Sequence, residues 1–345
     1  MILLDYPYAE QKEILSEFRL PDYKIRQIYR WLVKGAEFSE MSDLSKEMRE
    51  ALSAKFVAQP VGIEKTFLSK DGTVKFLFRL TDQNLIEGVL MRYKYGNTLC
   101  VSTQVGCRMG CKFCASALGG RIRNLSSGEI LGQIVAANRY LCGDLKNREI
   151  TNVVLMGSGE PLDNFYEVCK FLDCVNDPEG LNISYRNISL STCGLIPQIY
   201  RLAEKKMPLN LTISLHSAIQ SKREALMPIA KNNPVWELKK AVMEYFQQTK
   251  RRIYLEYTLI DGVNDGKEDV LELIRFAKGM AAHVNLIRLN PVKESGLRPS
   301  AKTNEIRQML NDNGVSATLR RQMGVDIEGA CGQLRKRYLE KSEEN

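Results

Sequence analysis

Apolar residues change their spacing twice along this chain, and the changes divide it. Over roughly the first sixty positions they recur at three and four, as in Ile25, Ile28, Trp31 and Leu32, the interval that lays one stripe along a helix. Helices are therefore predicted over Ala9–Leu20, Pro21–Gly35 and about Asp43–Val57. Alternation follows in Ile63–Leu68 and Val74–Leu80, joined by Lys70-Asp71-Gly72, and Asp-Gly between two β-rich runs predicts a hairpin. Leu85–Tyr93 adds a third strand. Residues 1–95 thus read as a small α+β accessory domain.

From Asn97 short apolar runs alternate with amphipathic stretches. Strands are predicted at Thr98–Gln104, Asn152–Met156, Asn187–Thr192, Asn210–Leu215, Ile253–Leu259 and Val284–Leu289. Helices fall near Ser127–Leu141, Asn164–Val175, Pro197–Lys206, Val235–Thr249 and Asp269–Ala277. Such β/α units in series imply a parallel sheet with right-handed crossovers, an open doubly wound sheet or a partial barrel. Either arrangement puts function at the C-terminal ends of the strands. A core over 96–300 is expected, then a C-terminal extension over 301–345 in which Val315–Arg321 forms an extra strand.

Three cysteines interrupt the first of these units. Cys107-Arg-Met-Gly-Cys111-Lys-Phe-Cys114 follows the first predicted strand, where a site on such a fold belongs. Three thiolates on one tight loop suit a soft metal centre. Structural zinc closes its shell with four ligands, and the chain offers only two histidines, His216 and His283. An iron–sulfur cluster with one iron open to a non-protein ligand fits better; a zinc knob completed by a distant residue, in a noncatalytic RNA-binding protein, is the alternative.

Composition narrows the class further. At 345 residues, 44% hydrophobic and 26% charged, the chain resembles a soluble globular enzyme. Its nine cysteines are odd in number and clustered, which suits a reducing cytoplasm better than a disulfide framework. The opening residues carry acids early, which argues against a signal peptide, and no run is long enough for a membrane helix. The net charge is +8, and from Gly88 to Gly128 there are six basic residues (Arg92, Lys94, Arg108, Lys112, Arg121, Arg123) and no acid. A basic run taken alone reads as a solvated face, but positive charge flanking a reactive loop raises the odds of a phosphate-rich substrate.

Polar residues close several predicted strands. Met156-Gly-Ser-Gly159-Glu160-Pro161 ends the second, with glycines that admit a ligand to the backbone and a carboxylate that can receive an ammonium group. Ser191, Ser214-Leu215-His216 and Asn290 end three others. Facing one crevice, they could hydrogen-bond a ribose, a carboxylate and an adenine. Cys331 lies between Gly329 and Gly332 with Arg335 and Lys336 beyond, a setting that favours its thiolate. Cys100 lies seven residues before Cys107, near the floor of the loop.

The Cys107/Cys111/Cys114 spacing resembles the radical S-adenosylmethionine (SAM) superfamily. Cys-Val-Ser-Thr-Gln-Val-Gly-Cys (100–107), Gly-Glu-Pro-Leu-Asp-Asn (159–164), Ile-Ser-Leu-His (213–216), Leu-Met-Pro-Ile (226–229), Gly-Val-Asn-Asp (262–265) and Ala-Cys-Gly-Gln-Leu-Arg (330–335) resemble the RlmN/Cfr family of RNA methyltransferases. The resemblance implies an α/β fold, a partial (β/α)6 TIM-like barrel of the radical-SAM type. It implies a 4Fe-4S cluster on Cys107, Cys111 and Cys114, and S-adenosyl-L-methionine held by Gly159, Glu160, Ser191, Ser214, Leu215, His216 and Asn290. Two SAM molecules are used per turnover in such a family. One methylates Cys331; the other generates a radical that activates the S-methyl group for addition to an adenine carbon. Glu87, thirteen residues before Cys100, then takes a proton, and Cys100 attacks Cys331, so that a disulfide releases the RNA. Pro161, Asp163 and Arg335 resemble the RlmN branch, implying methylation at C2 of an adenosine in 23S rRNA and tRNA, where Cfr methylates C8. The implied partners are those RNAs and an electron donor such as flavodoxin or ferredoxin. A monomer in the cytoplasm, with no membrane association, is expected.

Overall fold

The computed structural model describes residues 1–290, 296–329 and 332–333. Three helices come first, α1 (Tyr8–Ile14), α2 (Asp22–Val33) and α3 (Lys46–Lys55). Four strands follow, β1 (Val61–Leu68), β2 (Val74–Leu80), β3 (Leu85–Tyr93) and β4 (Gly96–Cys100). A short hairpin, β5 (Gln104–Gly106) and β6 (Arg121–Asn124), brackets the cysteine loop. Alternation then sets in: α4 (Ser127–Tyr140), β7 (Ile150–Leu155), α5 (Phe165–Asn176), β8 (Ile188–Thr192), α6 (Ile196–Glu204), β9 (Asn210–Ser214) and α7 (Gln220–Leu226). It continues through α8 (Val235–Thr249), β10 (Ile253–Leu259), α9 (Lys267–Ala277), β11 (Ala282–Arg288), α10 (Thr303–Asp312) and β12 (Ser316–Leu319).

Ten strands form one sheet in the order β1-β2-β3-β4-β7-β8-β9-β10-β11-β12. The pairs from β1 to β4 are antiparallel, and every pair from β4 to β12 is parallel. The sheet therefore runs through residue 95 without a break, because β3 pairs with β4 (Met91 opposite Thr98). The strand expected over Thr98–Gln104 stops at Cys100, and the chain turns away to pair again as β5. The expected Val315–Arg321 strand is present as β12, on the far edge of the parallel array.

The two faces of the parallel strands differ, and this decides the architecture. Leu190, Leu211, Ile213, Leu255, Tyr257, Val284 and Leu286 are all buried in the main core with the helices. Their neighbours Ser191, Thr212, Ser214, Glu256, Thr258 and Asn285 alternate with them and so point the other way. A doubly wound sheet would be apolar on both faces. This one has a single helical layer and a polar inner face, the wall of an open partial barrel, as expected.

The N-terminal helices dock on the outside. Asp5 Oδ1 accepts from Gly128 N at 2.7 Å at the start of α4, and Asp177 Oδ2 accepts from Tyr8 N at 2.7 Å after α5. Beyond β12 the chain recrosses the molecule. Met323 packs on Val89, Met91 and Cys100, Gly324 N donates to Asp71 Oδ2 at 3.0 Å, and Asp326 takes Ser69 Oγ at 2.5 Å and Lys70 N at 3.1 Å. Burial opposes ionisation of Asp71, but hydrogen bonds from Thr73, Gly324 and Ser69 outweigh it and hold the carboxyl at about 2. Residues 320–329 thus form a strap pinned to the β1–β2 turn.

Candidate active site

The cysteine loop stands on glycines. Gly106 has φ +76°, and a Cβ there would lie 2.0 Å from Gly120 O, so only glycine fits where β5 meets β6. Gly159 has φ +108°, and its Cβ would come within 2.7 Å of Gln104. Cys107 N donates to Gly120 O at 2.9 Å and Lys112 N to Leu226 O at 3.0 Å, tying the loop to its own hairpin and to the end of α7. Cys107 is buried with Met109, Cys193, Leu226, Met227, Ile260 and Leu289, and Cys111 and Phe113 pack against them.

Burial pushes the Cys107 thiol up to about 12, and raises Cys111 and Cys114 too. Such thiols stay protonated unless a metal takes the proton's place. Among the described residues no group of three or more His, Cys, Asp or Glu side chains could hold a single metal ion. In a 4Fe-4S cluster each cysteine binds a different iron, so its ligands need not converge on one point. Three loop thiols in an apolar nest fit such a cluster, whose irons take one cysteine each, whereas mononuclear zinc would need the thiols to converge on a single point.

Around the loop opens a cleft with about 980 Å³ of empty space, part of it open to solvent. It is lined by Cys107, Cys111, Cys114, Gly159, Glu160, Ser191, Ser214, His216 and Asn290, so these polar strand ends face one cleft. Leu215 is not in the lining; its side chain is fully buried in the core. Glu160 is held firmly, Oε1 accepting from Leu162 N at 3.0 Å and Oε2 from Cys193 N at 2.7 Å. Burial raises its pKa, a bias that an incoming ammonium group would reverse. Ser191 and Ser214 share a 3.1 Å hydrogen bond between adjacent strands.

His216, two residues beyond the end of β9, has φ +53°. Its Nδ1 accepts from Thr258 N at 3.0 Å, so the neutral ring carries its proton on Nε2 as a donor. Burial, seconded by the Arg223 charge, lowers its pKa to about 3, and the ring stays neutral at physiological pH. Phe113, from the cysteine loop, sits 4.5 Å from it, centroid to centroid.

Glu87 and Cys100 occupy the adjoining wall. Glu87 is buried and paired with Lys75 at 3.0 Å across β2 and β3. Losing one partner of such a pair costs about 3–5 kcal/mol, because a buried charge is left behind. Lys75 Nζ also donates to Glu328 O of the strap at 3.4 Å. Cys100, opposite Val89 in the sheet, packs with Met323. Cys331 and Arg335 lie outside the described residues. Gly332 is described, and its carbonyl accepts from Ala115 N at 2.8 Å, beside the cysteine loop.

Several participants escaped the sequence reading: Glu256 and Thr258 line the cleft from mid-strand, Met156 and Met227 supply apolar lining, and Arg320 reaches in from the strap. Periodicity alone could have flagged Glu256, a carboxylate within an apolar run. The basic stretch reads differently once folded. Arg108 and Arg121 pair with Asp163 at 2.5 and 2.8 Å, and Arg123 pairs with Asp82 and Glu129 at 2.6 and 2.7 Å. Half of the six basic residues thus brace the loop and its hairpin.

A partial barrel with three loop cysteines and a polar cleft above its strand ends defines a radical-SAM enzyme, and the radical-SAM superfamily model matches residues 101–277. The likeness extends far beyond that segment. The chain is 48% identical over 343 residues to the probable dual-specificity RNA methyltransferase RlmN of Clostridium perfringens strain 13, covering 98% of this chain and 97% of that one. It is 46% identical over 342 residues to the protein of the same description from Clostridium novyi, covering 98% of each. The crystal structure of a radical SAM methyltransferase from Sphaerobacter thermophilus superposes with a TM-score of 0.92 at 40% identity, covering 97% of this chain and 99% of that one. The chain belongs to the RlmN family of radical-SAM RNA methyltransferases. Membership brings a 4Fe-4S cluster and SAM as cofactors and RNA as substrate.

Proposed function

We propose that this enzyme methylates C2 of a specific adenosine in 23S rRNA and in tRNA, using two SAM molecules per turnover. Cys107, Cys111 and Cys114 would hold the cluster, and Gly159, Glu160, Ser191, Ser214, His216 and Asn290 the SAM beside it, with Leu215 fixing the strand end from the core. Bound together, the two cofactors supply a transferable methyl group and one-electron chemistry. Cys331 is the methyl acceptor, carrying the group as a thioether to the target carbon and remaining bonded to the base. Glu87 takes the proton from the adduct, and Cys100 attacks the Cys331 sulfur, releasing RNA and leaving a disulfide that thiol exchange must reduce. The observation that carries this reading is the contact between Gly332 and Ala115, at 2.8 Å, which joins the neighbour of Cys331 to the neighbour of Cys114.

Residues 1–95 serve in this reading as the RNA-binding module, and residues 301–345 as the extension that delivers the acceptor thiol. The target base leaves its stack to reach so enclosed a site. Reduced flavodoxin or ferredoxin supplies the electrons, and the enzyme works as a cytoplasmic monomer; among the described residues no helix is long and apolar enough to cross a membrane.

Mass spectrometry of nucleosides from both RNA classes, after incubation with the purified enzyme, is the direct test. The expected product is 2-methyladenosine in each; 8-methyladenosine alone would overturn the reading. For the SAM contacts, Glu160→Gln turns an amide N–H toward a backbone donor and loses the charge, so SAM affinity is expected to fall between about 10- and 100-fold, the scale of a charged hydrogen bond. Equilibrium dialysis with labelled SAM reads this, and parent affinity would remove Glu160 from the ligand set.

A further inference from the structure

Arg223 is fully buried, more so than any other lysine or arginine among the described residues. It stands on α7, whose last residue, Leu226, accepts the Lys112 amide of the cysteine loop. The guanidinium donates from Nη2 to Cys193 O at 2.6 Å and from Nε to Leu215 O at 3.2 Å. Nη1 is enclosed and has no hydrogen-bond partner. Among the described residues no carboxylate forms an ion pair with it. Burial lowers the guanidinium's pKa, and negative charge at Cys193 or Cys111 would oppose that effect.

A cation removed from water without a counter-charge is a costly arrangement for a fold to keep. Two carbonyls could be bridged by a neutral amide, so their bonds do not require an arginine. The missing anion is supplied by what the neighbouring cysteines bind. An oxidised 4Fe-4S core carries two positive charges against three cysteine thiolates, and one added electron makes the assembly more negative still. No bond breaks and no proton moves in that step; the electron comes from a reduced flavodoxin- or ferredoxin-class donor.

We propose that Arg223 is the buried counter-charge of the cluster, a positioning residue that eases its one-electron reduction. The inference rests on Cys107, Cys111 and Cys114 being the cluster ligands. A fixed positive charge in a dry, low-dielectric nest favours the more negative of two redox states, and outer groups of this kind set the potentials of metal centres.

The test is an anaerobic redox titration of the full chain, loaded with iron and sulfide and followed by the electron paramagnetic resonance of the reduced cluster. Iron and sulfide content of the parent checks the ligand assignment on its own. Arg223→Met is expected to shift the reduction equilibrium at least tenfold toward the oxidised form, 59 mV for one electron. Arg223→Lys keeps the charge while losing the two-carbonyl fork, and is expected to stay near the parent. A fully loaded Arg223→Met with the parent midpoint overturns the proposal. If Arg223→Met takes up no iron but Arg223→Lys does, the charge is needed and the proposal stands. If neither takes up iron, Arg223 is a carbonyl brace and the proposal fails.

Discussion

Cys331→Ala is expected to abolish RNA methylation, lowering it by at least about 10³-fold, the scale seen when a covalent catalyst is deleted, while SAM cleavage at the cluster continues. Alanine has no lone pair to accept a methyl group, and the adenine C2 position is too electron-poor to attack SAM itself. The strap should survive the change, since its anchors lie upstream: Gly324 on Asp71, Asp326 on Ser69 and Lys70, Glu328 on Lys75. Methylnucleoside and 5′-deoxyadenosine are read from one incubation by mass spectrometry. Methylation within tenfold of the parent would remove Cys331 from the mechanism.

Cys100→Ala should fail at the opposite end of the cycle. Bond formation to RNA proceeds, but no thiol is present to attack Cys331, so protein and RNA stay joined. The expected result is a nuclease-sensitive band of higher mass on a denaturing gel, one adduct per enzyme and no turnover. Cys100 is buried beside Met323 and Val89, and exchanging a thiol for a methyl at such a site leaves only a small gap. The protein should therefore fold, and a normal multiple-turnover rate would dismiss the disulfide-release step.

What the chain disclosed before folding was whatever its chemistry keeps local. Cys107, Cys111 and Cys114 need one loop, and Ser191, Ser214 and His216 follow directly on apolar strands, so both were legible as short patterns. The roles proposed for Glu87 and Cys100 rest on a family resemblance, because a lone strand carboxylate or thiol carries no local mark. Arg223 was invisible: Gln-Ser-Lys-Arg-Glu reads as an exposed helical turn, and its burial against Cys193 arises from the meeting of two distant strand ends. The basic stretch pointed to a phosphate-rich substrate but hid its own pairing for the same reason. Asp163, Asp82 and Glu129, which occupy three of its arginines, come from other parts of the sequence. Strand periodicity located β1 to β3 but could not tell that β3 would pair with β4 and make one sheet of what read as two units.

The strap has a consequence for biosynthesis. Ser69 and Asp326 are 257 residues apart, so their contact waits for almost all of the intervening chain. During translation the cluster loop and its β5–β6 hairpin are complete while the segment leading to Cys331 is still to be made. In the proposed mechanism, a nascent chain would therefore complete the loop that holds the cluster before it has a methyl acceptor. A chain cut before residue 324 would keep the cysteine loop and lose both the strap's anchors and the proposed acceptor.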